Sequence, residues 1–102
     1  MQVRAKNRLL MSKSEVAARR NSASAASESW VWVIPLKAGT FIVRAFEVPR
    51  ELLADDNDIY DGNMSIVYDE VVPSIDDVDE SVRRAGINPE DLDAPWKCDF
   101  PL

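Results

Sequence analysis

Histidine is absent from the 102 residues. That removes Ser-His-Asp and Cys-His catalysis, histidine-containing zinc sites and the commonest general base. The single cysteine, Cys98, has no partner for an internal disulfide and no Cys or His neighbour to anchor zinc. Beside Lys97 it reads as a small packed hydrophobe rather than an activated thiol. Only three glycines are present, Gly39, Gly62 and Gly86, too far apart to form a phosphate-binding loop. No apolar run reaches the roughly 18 residues needed to span a membrane. The basic N-terminus, MQVRAKNRLLMSKSEVAARR, lacks the apolar core of a secretory signal. Together these absences predict a reduced, cytoplasmic protein with no cofactor and no metal, and they argue against an enzyme.

What is present is ordinary globular material, with 46% hydrophobic and 29% charged residues in a length that suits one domain. The charge is divided unevenly. Residues 1–20 carry six basic groups against Glu15, a net of +5, while the other 82 carry six basic and seventeen acidic groups. Residues 1–28, ending in the tract NSASAASES, read as a basic, Ser/Ala-rich flexible leader. Leu9, Leu10, Met11, Val16 and Ala17 suit a short amphipathic helix, but no stop signal follows. Met11 also looks like a natural start, and the leader is expected to be dispensable for folding.

Residues 29–102 read as a single α+β domain organised around SWVWVIPLKAGTFIVRAFEV. A first strand near residues 30–36 sets Trp30, Trp32 and Ile34 on one face and Val31 and Val33 on the other, so both faces ask to be covered. A short loop with Gly39 leads to a second strand near 40–48, and a third is predicted near 64–72. Pro49 suits the first position of a short helical turn. Ser74 with Asp77 forms a capping-box pattern ahead of a helix over 75–85, and Gly86 and Ile87 match a Schellman ending. Asn88 and Pro89 start a further short turn, Pro95 stops it, and Trp96 and Phe100 are expected to lie on the sheet. The expected fold is a three-stranded antiparallel sheet covered on one face by one main helix and short helical turns.

Acidic groups dominate what remains. DDNDIYDG invites a calcium-loop reading that fails on register: with Gly62 at the sixth position, Ile59 falls third and Tyr68 twelfth. The acids at Asp55, Asp56, Asp58 and Asp61, at Asp69 and Glu70, and at Asp76, Asp77, Asp79 and Glu80 surround Tyr60 and Tyr68. Placed on one surface they make an acidic patch with aromatic anchors, suited to a basic protein partner. A solvated loop and a helix N-terminus account for many of the same positions.

Small size, acidity, the Trp-rich first strand and the ending RRAGINPEDLDAPWKCDFPL resemble the small acidic immunity proteins of bacterial toxin systems, including contact-dependent growth inhibition. The resemblance implies a non-catalytic protein that neutralises a cognate toxin, often a basic nuclease, in the cytoplasm of the producing cell. Two other classes compete with it. One is an antitoxin or small regulator whose basic arm touches DNA; the other is a phage or accessory structural subunit that pairs through a strand edge.

Overall fold

The computed structural model describes residues 1–54 and 64–101. In chain order these form α1 (Val3–Leu10), β1 (Val16–Arg20), β2 (Ser27–Pro35), β3 (Phe41–Pro49), α2 (Arg50–Ala54), β4 (Ser65–Val72) and α3 (Val78–Ala85). Single 3-10 turns occupy Lys37–Gly39, Ile75–Asp77, Pro89–Asp91 and Pro95–Cys98. All neighbouring strands run antiparallel in the order β1-β2-β3-β4. The class is α+β as expected, but among the described residues the sheet has four strands where three were predicted.

The hairpin of β2 and β3 is the centre of this sheet, and its alternation sorts the core into two layers. On one face Val31 pairs with Ala45 and Val33 with Val43. There they meet Ala5 and Leu9 of α1, Val16 and Ala18 of β1, and Val78, Val82 and Ala85 of α3, all buried. On the other face Trp30 pairs with Phe46. These two and Val48 are buried under Leu52, Leu53, Met64, Cys98 and Phe100. Phe100 lies on the sheet as expected, 5.3 Å from Trp32 and 5.7 Å from Phe46 between ring centroids. Trp96 does not: it is 69% exposed, with the Arg8 guanidinium 4.9 Å from its ring. Helical cover is therefore not confined to one face, because α2 and the Pro95–Cys98 turn serve the second.

The segment expected as a leader is part of this core. Ala5 and Leu9 lie one helical turn apart and share the buried side of α1. Left-handed Lys13 then turns the chain, at φ 53°, into β1. There the sequence VAARR pairs along its whole length with residues 29–33 of β2. Alanine and arginine favour helix, so local propensity points the wrong way; the open edge of β2 and its two apolar faces override it. Arg20 fastens the join. Its Nε donates to the Ala85 carbonyl at the end of α3 (2.7 Å), and its Nη1 donates to Ser29 Oγ (3.2 Å) and Glu47 Oε2 (3.4 Å). A cation there also suits the negative end of the helix. The Schellman ending forms as read, with Gly86 at φ 107° and Ile87 N–H donating to the Val82 carbonyl. A side chain at Gly86 would press on Arg20 Nε, 3.1 Å from the added carbon.

Two local details differ from the sequence reading. The helix start at Ser74 is a 3-10 turn before the α-helix begins at Val78, and Ser74 Oγ donates to Asp77 Oδ2 (3.1 Å) instead of accepting a backbone N–H. Second, the ladder between β3 and β4 slips between Ala45 and Phe46, so Tyr68 pairs with Ala45 and Ile66 with Phe46. This bulge places Ile66 on the face opposite Tyr68, where strict alternation would have put both together.

Leu9→Ala should accordingly cost about 2–5 kcal/mol in urea unfolding, the range for a truncated core leucine. Ser74→Ala should cost less than about 0.5 kcal/mol, since only an exposed side-chain pair is lost. Deletion of residues 1–25, expected from sequence to be harmless, should abolish the cooperative transition.

Candidate protein-binding surface

Among the described residues, the acids singled out from sequence fall on β4, in the turn before α3 and in the first turn of α3, and four of these six are tied to cations of the same chain. Asp69 accepts from Arg44 across the β3 and β4 ladder (3.2 Å). Glu70 accepts from Arg84 of α3 (2.6 Å) and from the Tyr68 hydroxyl (2.9 Å). Asp79 holds the Met1 α-amino group (2.8 Å), and Glu80 lies 3.6 Å from Arg83 and 3.7 Å from Arg84. Among the described residues Asp76 has no ion-pair partner, and Asp77 has only Ser74. Asp55, Asp56, Asp58, Tyr60 and Asp61 lie outside the described residues, as does the calcium-loop reading.

Tyr68 is not a free aromatic anchor. Its half-buried hydroxyl lies 3.0 Å from buried Ser81 Oγ and accepts from Arg84 Nε (3.4 Å) while donating to Glu70. The group locks α3 onto β4. Hydrogen bonding from Ser81 foremost, then from Arg84 and Tyr68, holds the Glu70 carboxyl down at about 2, and hydrogen bonds to Tyr68 and then Glu70 raise the Arg84 guanidinium further.

The sequence reading missed the apolar part of this surface. Ile66, Val67 and Val71 on β4 are 47%, 46% and 63% exposed. Among the described residues β4 pairs only with β3, so its other edge presents unpaired backbone. A signal was available in SIVYDEVV, a β-rich run containing neither lysine nor proline to blunt an edge.

Among the described residues no three Cys, Asp or Glu side chains converge to hold a metal ion. Burial pushes the Cys98 thiol up, and it donates to the Pro95 carbonyl (3.4 Å), which leaves it a packed group. A surface groove of about 540 Å³ is lined by Arg19, Arg20 and Arg50 with serines of the 21–27 loop. Its guanidinium groups are engaged: Glu28 takes Arg19 and Arg50 (2.9 Å each), and Glu47 takes Arg20. Further along the basic segment Arg4 binds Asp93 (2.6 Å) and Arg8 donates to the Glu15 carbonyl. Among the described residues no helix is long and apolar enough to cross a membrane. Comparison with protein-family models, with curated proteins and with solved structures finds no match.

The Glu70 network sets a pH dependence. A carboxyl held at about 2 in the fold against an ordinary 4.5 contributes stability that is complete above about pH 4.5 and lost as pH falls toward 2. Thermal melts should find Glu70→Gln less stable than wild type at neutral pH, with the gap closing through that interval. A gap that stays constant from pH 7 to 2 would contradict it.

Proposed function

We propose that the chain is a non-catalytic inhibitor of the immunity type, binding a cognate basic protein in the cytoplasm and covering its working surface. A nuclease toxin is the partner class we favour. The observation that carries this reading is the composition of the β4 side. Exposed Ile66, Val67 and Val71 supply apolar area along β4, a ledge at the sheet edge whose strand also carries Asp69 and Glu70, and Asp76 and Asp77 lie in the turn that follows. A ledge of that kind suits a protein partner: aliphatic contacts give the buried centre, and acidic groups at the rim steer a cationic surface into place. Paired acids still contribute to the field, since residues 64–93 carry nine acidic groups against Arg83 and Arg84.

The regulator with a DNA-contacting arm draws less support. Arg4, Arg8, Arg19 and Arg20 are occupied by carboxylates or carbonyls of the chain itself, and the segment that bears them is packed into the fold. The structural-subunit reading shares the open edge with the inhibitor and differs in lacking a toxin.

Affinity capture from the native host, followed by an activity assay on the captured protein, tests the proposal. A basic toxin domain should be retained and inhibited at equal stoichiometry. Asp76→Asn combined with Asp77→Asn should slow association roughly several-fold at low salt and flatten its salt dependence, with little change in dissociation. Capture of nucleic acid in place of a basic protein would turn the assignment to the regulator.

A further inference from the structure

The two edges of the sheet are treated differently. At β1 the chain pairs with its own edge at one point: Ala17 N–H donates to the Asp93 carbonyl (2.9 Å) and Asp93 N–H returns to the Ala17 carbonyl (3.1 Å). At β4 no described residue does the same. The bulge confines the regular part of β4 to residues 68–72, the stretch that pairs without a slip from Ala45 to Phe41. Along that stretch the side chains alternate in a readable order, with exposed Asp69 and Val71 on one face of the sheet and half-buried Glu70 on the other.

We propose that residues 68–72 receive an extended segment of the partner as a fifth strand, and that this segment carries lysine or arginine opposite Asp69 and Glu70 and an apolar residue opposite Val71. The inference rests on the inhibitor reading for the identity of its partner, and on the edge for its geometry. Unpaired N–H and C=O groups give such a segment its hydrogen bonds, and the alternating side chains give it register. Charge selects the occupant. Laid antiparallel over the same residues, a second copy of this chain would bring Glu70 against Glu70 of the second copy, and like charges directly opposite destabilise a strand pair. A basic segment meets the same carboxylates with the opposite sign. Val71 sits beside Ile42, which is itself beside Ile34, so the apolar contact continues a row already laid across three strands.

Capped nine-residue peptides repeating the order valine-lysine-lysine, and the same peptides with every lysine replaced by glutamate or by serine, offered to the full-length protein, supply the test. The lysine series should bind, and hydrogen exchange at residues 68–72 should slow on binding by tenfold or more. Val71→Lys, which places a like charge on the ledge, should weaken that binding at least tenfold, whereas Val3→Lys on the exposed side of α1 should leave it unchanged. Wild-type exchange reads the site even if Val71→Lys unfolds. Equal binding of the glutamate or serine series, no binding by any series, protection elsewhere in the sheet, or protection of residues 68–72 by self-association of the free protein would each overturn the proposal. Failure here is separable from failure of the inhibitor reading. A captured toxin that leaves residues 68–72 unprotected removes the fifth strand alone; lysine peptides that protect them when no basic protein is captured remove the toxin alone.

Discussion

A hairpin that is apolar on both faces is the constraint from which the rest of this structure follows. Val31, Val33, Val43 and Ala45 look one way and Trp30, Phe46 and Val48 the other, and all seven are buried. Fully burying large side chains of this kind contributes about 1.5–3 kcal/mol each, so leaving either face in water would forfeit much of the favourable term in so short a chain. One layer of helices covers one face. The second face needs its own cover, and the chain draws it from α2 and from its last residues, where Phe100 reaches Trp32 and Phe46 and the Cys98 carbonyl accepts the Trp30 indole N–H (2.9 Å). The N-terminal segment is recruited for the same reason and serves both faces. Glu15 accepts the Trp32 indole N–H (2.8 Å), and Leu9 and Val16 complete the helical layer.

That constraint also explains how far the fold was legible. The hairpin, β4, the Gly86 helix ending and the Asn88 turn each announce themselves by local pattern, and each formed close to its expected place. The segments α1 and β1 carry no such announcement. Gln2 offers α1 no side-chain cap, only Ala5 and Leu9 of its eight residues are buried, and VAARR has the composition of a helix. What decides their state is a demand made elsewhere, by the open edge and uncovered face of β2. Ala17 and Ala18 are both fully buried despite their size, and small side chains are what a strand needs where indoles and valines already fill both layers. Long-range requirements of this kind do not write themselves into the residues that satisfy them.

The candidate surface was legible in a different proportion. The sequence puts acids on β4 and around the start of α3, but a count of charges says nothing of their partners. Arg44 is 25 positions before Asp69 and Arg84 is 14 after Glu70, distances that only the ladder and the packing of α3 close. Once closed, they convert a uniform acidic patch into a mostly neutralised one, with Asp76 and Asp77 at its end less engaged. The slip between Ala45 and Phe46 is equally silent in sequence, and it is what turns Ile66 from the side of Tyr68 to the side of Phe46. Tyr68, read from sequence as an anchor for a partner, has its hydroxyl engaged by Glu70, Ser81 and Arg84 of its own chain.

Open strand edges are hazards, and this chain handles its two edges by different means. Pairing β1 with Asp93 at one point uses two backbone hydrogen bonds and fixes the final turn against the sheet, so that edge is structural. On β4 the usual deterrents are partial: a bulge near its start, Asp69 and Glu70 in its middle, and Pro73 just past its end. Those acids deter a like-charged copy far more than a basic strand, because repulsion between carboxylates acts on the former and attraction on the latter. An edge defended in this way is selective rather than closed. In the fifth-strand proposal the same two carboxylates, steadied by Arg44 and Arg84, would oppose a like-charged copy while leaving the exposed apolar residues of β4 to a partner of the opposite sign.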